Sequence, residues 1–225
     1  MTPSPRGAAT PLLFPKGPLP WLKPGLFLGS LIPAVSLAVG AARGTLGADA
    51  VAEGLNRLGL LALIFLVASL ACTPLKTLTG AVWPIKIRKM LGLYAFFYAA
   101  LHLGTYAGLD QGLDFKAIFA DIVKRPFILV GFTAFVLLVP LAVTSTARMV
   151  KRIGFLWWKR LHRLAYVAAG LGVIHFFLRV KKDVTEPLIY AGILGVLFAV
   201  RIAAWLKERS EQSSLSPDKG KGAGG

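Results

Sequence analysis

Apolar residues run along this chain in six long blocks, separated by polar breaks rich in glycine, proline and charge. The blocks cover about 25–42, 55–75, 89–109, 126–145, 162–179 and 187–206. Each reaches, or nearly reaches, the ~20 residues that span a hydrocarbon core as a helix. In lipid the backbone must satisfy its own hydrogen bonds, so such blocks fold as α-helices. The pattern predicts an all-α fold, a polytopic membrane helix bundle of six transmembrane helices. Pro33 marks a kink inside the first. Pro126 and Pro187 open the fourth and sixth, where the missing N–H costs nothing.

Outside the blocks the chain changes character. Residues 1–24 hold Pro3, Pro5, Pro11, Pro15, Pro18, Pro20 and Pro24. That density excludes the helical core of a signal peptide and predicts a disordered cytoplasmic tail. Residues 207–225 are polar, rich in glycine and serine, and end in GKGAGG, predicting a second disordered tail. The membrane domain is expected between them, over 25–206.

Charge then orients the bundle. The chain carries 26 Lys and Arg against 10 Asp and Glu, a formal net charge of +16. The excess is not uniform. Arg6, Lys16 and Lys23 precede the first block with no acid, as do Lys76, Lys86, Arg88 and Lys89 between the second and third. Arg148, Lys151, Arg152, Lys159, Arg160 and Arg163 fill the fourth connection, again without acid. The alternate connections mix signs, with Asp49 and Glu53, then Asp110, Asp114 and Asp121, then Asp183 and Glu186. The positive-inside rule places both termini in the cytoplasm. The basic loops then signify topology and contact with membrane lipid rather than nucleic acid.

Composition agrees: 56% of residues are hydrophobic and only 16% charged, with a mean hydropathy of +0.66. This excludes an ordinary soluble domain. Cys72 is the one cysteine, so an intramolecular disulfide and a thiolate metal cluster are both excluded. Nucleotide-binding glycine loops, CxxCH and HExxH are absent from the sequence, and no catalytic residue is expected.

Candidate chemistry rests on the only three histidines, His102, His162 and His175. Imidazoles inside or at the edge of a membrane span are costly and point to function. The predicted topology puts His102 and His175 at one depth in the outer half of the membrane, on two helices. His162 lies alone on the inner side. Two level imidazoles, with neither thiolate nor acid beside them, suit the axial positions of a haem iron. Arg179 is at the outer depth where it could meet a propionate, while Arg88 and Arg163 are on the inner side. His162 and His175 are 13 residues apart, which on an ideal helix puts them on different faces. Local unwinding near Gly170 and Gly172 would reconcile them.

The stretch IRKMLGLYAFFYAALHLGTY (87–106) and the later WWKRLHRLAYVAAGLGVIHFF (157–177) resemble the ferric-reductase-like transmembrane family. The run beginning PLAVTSTARMVKRIGF and the last block, EPLIYAGILGVLFAVRI, are closest to its branch of haem b subunits in methionine sulfoxide reductase systems. The resemblance covers about 24–207. It implies a ferric-reductase-like transmembrane haem domain in which His102, His162 and His175 are the haem-associated positions. It implies an electron-transfer subunit serving a periplasmic molybdopterin-containing methionine sulfoxide reductase that repairs oxidised envelope proteins. The implied donor is the quinone pool or a reduced flavin, and FMN is a further implied cofactor. NADPH oxidase relatives carry another histidine 14 residues before the first of these. Here that position is Arg88, which leaves His162 without a histidine partner. With no space for appended flavin and nicotinamide domains in 225 residues, electrons are expected from a separate donor. The alternative reading is a stand-alone transmembrane cytochrome b of ferric reductase or oxidase type.

Overall fold

The computed structural model describes residues 20–180 and 182–214, and within them the regular structure is entirely helical. Nine α-helices follow in order: α1 Leu22–Ala42, α2 Ala50–Thr79, α3 Trp83–Thr105, α4 Phe115–Lys124, α5 Pro126–Val143, α6 Ala147–Ile153, α7 Phe155–Leu161, α8 Leu164–Arg179 and α9 Thr185–Ser214. A π-helical turn, Tyr106–Asp110, extends α3.

The ends of these helices follow from local chemistry. Asp49 caps α2 by accepting from the Ala52 N–H at 2.8 Å, and Asp114 caps α4 through the N–H groups of Lys116 and Ala117. Pro126 opens α5 as expected. Gly80 closes α2 with φ +70°, the left-handed conformation that glycine takes without a Cβ penalty.

Three short helices were not expected. α4 occupies the connection from α3 to α5; α6 and α7 occupy the basic connection before α8. The outer boundaries also moved. α1 begins at Leu22, so the last residues of the predicted N-terminal tail are already helical. α9 continues past Leu206 to Ser214, where an unstructured tail was expected from Lys207. The stretch KERSEQ contains strong helix formers, and Lys207 sits 4.0 Å from Glu211 one turn on. The remainder of both predicted tails lies outside the described residues.

The fifth apolar block needs a correction. His162 does not open α8; it is the C-cap of α7. Across His162 and Arg163 the chain tightens into bonds from Arg163 N–H to the Arg160 carbonyl and from Tyr166 N–H to the Arg163 carbonyl. Gly170 and Gly172, where unwinding was expected, stay helical within α8. The break falls at His162 and Arg163, not at the glycines.

Five helical stretches are long and apolar enough to cross a membrane: 22–42, 50–79, 126–143, 155–179 and 185–212. The sixth expected span, α3, has 23 residues but begins with Lys86, Arg88 and Lys89 in its first two turns. It lies along α2, its main packing partner, as α5 does along α8.

The central core joins Leu63, Leu66, Val67 and Leu70 of α2 to Ala95 of α3, Leu138 and Leu141 of α5, Ala168, Ala169 and Val173 of α8, and Leu194 of α9. Ala95, Ala168 and Ala169 are fully covered; small residues at such crossings let helix backbones approach closely. α1 is held differently. Tyr94 and Tyr98 of α3 donate to the carbonyls of Phe27 and Ser30 at 2.7 and 2.5 Å, and Phe65 of α2 stacks on Tyr98 with centroids 5.3 Å apart. Much of the outward surface is apolar, including Ile32, Leu129, Val196 and Ile202, as a lipid-facing bundle requires.

Candidate functional site

α3 and α8 deliver His102 and His175 to the same end of the bundle. Their ring centroids are 6.1 Å apart and their planes are nearly perpendicular, at 81°. Each ring is fixed by one hydrogen bond to a neighbouring helix. Nδ1 of His102 lies 2.9 Å from the Leu55 carbonyl of α2, and Nδ1 of His175 lies 2.7 Å from the Phe127 carbonyl of α5. A carbonyl only accepts, so Nδ1 carries the proton in both rings. That leaves Nε2 with its lone pair, the tautomer a metal ligand needs.

Two glycines make these contacts possible. A Cβ at Gly59 would stand 3.1 Å from Nδ1 of His102, and one at Gly131 only 2.6 Å from Nδ1 of His175. Gly59 follows Leu55 by four residues, and Gly131 follows Phe127 by four. The same device therefore occurs twice: a helix carbonyl fixes the imidazole, and a glycine one turn later lets the ring lie against the helix.

A cavity of about 350 Å³ opens between α2, α3, α5 and α8, and both histidines line it. This is within the usual size of cofactor sites. Its walls are mainly apolar, with Leu60, Leu63, Leu103, Phe132, Phe135 and Phe176 among them. Ile118 and Ile122 of α4 also line it. So do the polar residues Tyr106 and Arg125. Arg125 pairs with Asp121 at 3.2 Å, and the Tyr106 hydroxyl donates to the other oxygen of Asp121 at 3.1 Å. Arg179 also lines the cavity and has no acidic partner among the described residues. Asn56 lines it with a buried side-chain oxygen that has no hydrogen-bond partner.

This donor set fits a haem. Among the described residues no group of three or more His, Cys, Asp or Glu could enclose a bare metal ion. His102 and His175, with ring centroids 6.1 Å apart and both lining the cavity, would be the residues to hold the haem, and it would supply a one-electron carrier there.

Arg179 stands at the cavity with the two histidines. Tyr106 and Phe176 line the cavity, and Phe96 reaches it indirectly by stacking on Phe135 at 5.6 Å. Tyr94, Phe97 and Tyr98 belong to the cluster that holds α1. His162 is apart from the pair and does not line the cavity. Its Nδ1 bonds the Trp158 carbonyl at 3.0 Å, its ring lies 4.1 Å from that of Trp158, and its Nε2 is buried without a partner. Sequence reading missed Gly59, Gly131 and Asn56. A signal existed for the glycines, since each interrupts an apolar helix at the depth of a histidine.

The class defined here is a helical membrane bundle with two histidines facing one internal cavity. Residues 54–173 match the family described as ferric reductase like transmembrane component. Relatives extend the likeness over most of the chain. A protein of Rhodospirillum rubrum is 52% identical over 184 residues, covering 82% of this chain and 88% of its own. Proteins of Deinococcus radiodurans and Ralstonia nicotianae are 46% and 41% identical, covering 82% and 92% of this chain and 91% and 95% of their own. All three are named protein-methionine-sulfoxide reductase heme-binding subunit MsrQ. The chain belongs to the ferric-reductase-like transmembrane family, in its MsrQ branch.

Proposed function

We propose that this chain is the membrane electron-transfer subunit of a methionine sulfoxide reductase system, with a haem b held by His102 and His175. The carrying observation is the pair itself: two imidazoles 6.1 Å apart, each with Nδ1 bonded to a helix carbonyl and Nε2 free. Haem supplies a one-electron carrier at that place. Leu55 and Phe127 hold the rings in orientation, Leu63 and Phe135 keep water from the cavity, and Arg179 and Asn56 are the groups placed to meet propionates. The names of the relatives support a subunit role in methionine sulfoxide reduction.

Electrons enter on the cytoplasmic side of the inner membrane from the quinone pool or a reduced flavin. They leave to a periplasmic molybdopterin-containing reductase, which returns methionine sulfoxide in envelope proteins to the flexible apolar side chain. His162, on the inner side, is haem-associated or close to the donor. FMN is part of this reading by family resemblance. The loop charges support six spans with both termini cytoplasmic.

The test is a reduced-minus-oxidised optical spectrum of the purified protein, followed as the isolated periplasmic reductase and methionine sulfoxide are added. Reoxidation that requires both the reductase and its substrate supports the proposal. Equal reoxidation by a ferric chelate or oxygen alone favours a stand-alone cytochrome. A colourless protein that takes up no haem excludes both.

A further inference from the structure

Two arginines from distant parts of the chain converge on one turn of α2, at the end away from His102 and His175. Arg88 of α3 donates through Nη1 to Oγ1 of Thr73 at 3.3 Å. Arg201 of α9 donates through Nη2 to the Leu70 carbonyl at 2.8 Å. Leu70 and Thr73 are three residues apart, one turn of helix. Both arginines are half-buried, and neither takes part in any ion pair found among the described residues.

One of these contacts has a plain structural reason. Pro74 lacks an N–H, so the Leu70 carbonyl loses its donor in α2. Arg201 supplies a replacement. A hydroxyl or an amide could cap that carbonyl without bringing a charge into the bundle. The cap also uses one nitrogen only. Nε of Arg201 is buried with no acceptor, while the guanidinium lies 4.9 Å over the ring of Tyr166. Two like charges held on one turn of α2 in an apolar bundle, with no carboxylate paired to either among the described residues, are costly until an anion binds between them.

We propose that Arg88 and Arg201 form a binding site for a phosphate group. The planar fork of a guanidinium matches phosphate oxygens in pairs, and two forks bring the charge that a phosphate neutralises. The site is separate from the two-histidine cavity. Arg88 precedes His102 by 14 residues, roughly 21 Å along α3 at ~1.5 Å per residue. The phosphate can come from a membrane lipid or from a soluble phosphate monoester, and the loops at this end, which carry no acid, attract either from the cytoplasmic side.

Native mass spectrometry of the full-length, haem-loaded protein tests this, using protein released from nanodiscs of phosphatidylglycerol. One phosphate-bearing adduct per chain is expected to survive activation that strips other lipid. Its occupancy in R88Q/R201Q falls about tenfold or more, and R88K/R201K retains part of it. R209Q removes an exposed α9 guanidinium that lies over Trp205, and it leaves the adduct unchanged. The adduct mass separates the sources, equal to phosphatidylglycerol for lipid and smaller for a monoester carried from the cell. An unchanged haem spectrum shows that the variants fold. If R88Q/R201Q does not fold, the single variants R88K and R201K carry the same comparison. Wild-type protein without an adduct, an adduct held equally by the glutamine variants, or a second adduct of haem mass lost in them would each overturn the proposal.

Discussion

Gly131 and His175 meet so closely that any side chain on the glycine would collide with the ring: its Cβ would stand 2.6 Å from Nδ1 and 2.8 Å from Cε1. The contact joins α5 to α8, which pack along each other. It brings the ring within 2.7 Å of the Phe127 carbonyl. Gly59 and His102 repeat the relationship with more room, at 3.1 Å.

This difference ranks two substitutions. Gly→Ala inside a helix favours the helix by ~0.5–1 kcal/mol, whereas forcing a methyl into a packed contact costs ~1–3 kcal/mol. G131A should therefore displace the His175 ring, cost the apo-protein a net of up to about 2 kcal/mol and lower haem affinity by about tenfold. G59A, where the ring need shift only a few tenths of an ångström, should lose less. Haem titration of both variants, with the melting temperature of each apo-protein, checks the order. Wild-type affinity in G131A would remove the role assigned to the glycine.

The two ligands should behave alike. H102A and H175A each leave one imidazole, so the low-spin spectrum of a bis-imidazole haem should vanish in both while the helical circular dichroism persists. His162 does not line the cavity, and H162A should keep the spectrum of the His102–His175 haem. Should H162A erase it, the two-histidine site would not be the one described.

Tyr98 couples α1 to α3 with a fully buried ring and a hydroxyl bonded to the Ser30 carbonyl. Y98F removes one hydrogen bond and should cost about 0.5–1.5 kcal/mol. Y98A also empties a ring-sized space and should cost ~3–5 kcal/mol. Thermal unfolding in detergent reads both, and equal effects would mean that stacking on Phe65 contributes nothing.

Orientation is open to a direct check. Reporter fusions after Lys76 and after Arg152 should be active in the cytoplasm, and a fusion after Asp114 in the periplasm, following the loop charges. A periplasmic signal from the connection between Arg148 and Arg163 would reverse the bundle, and with it the direction of electron flow.

The sequence alone determined that this is an all-α membrane bundle, because apolar block length and backbone satisfaction in lipid leave few alternatives. It also singled out His102, His162 and His175, since an imidazole in or at the edge of a span stands out against apolar neighbours; that only His102 and His175 share a cavity was decided by the packing. The positions of Pro126 and Gly80 at helix ends are likewise local chemistry, readable from residue type. Tertiary structure decided what no local pattern carries. The carbonyls of Leu55 and Phe127 became ligand-orienting groups only when α2 met α3 and α5 met α8, across 47 and 48 residues of chain. Tyr94 and Tyr98 face α1, because helix rotation is set by packing against neighbours and not by hydropathy. Leu70 accepts from Arg201 across 131 residues: Pro74 in the sequence announces an orphaned carbonyl, but which side chain reaches it depends on how α9 crosses α2.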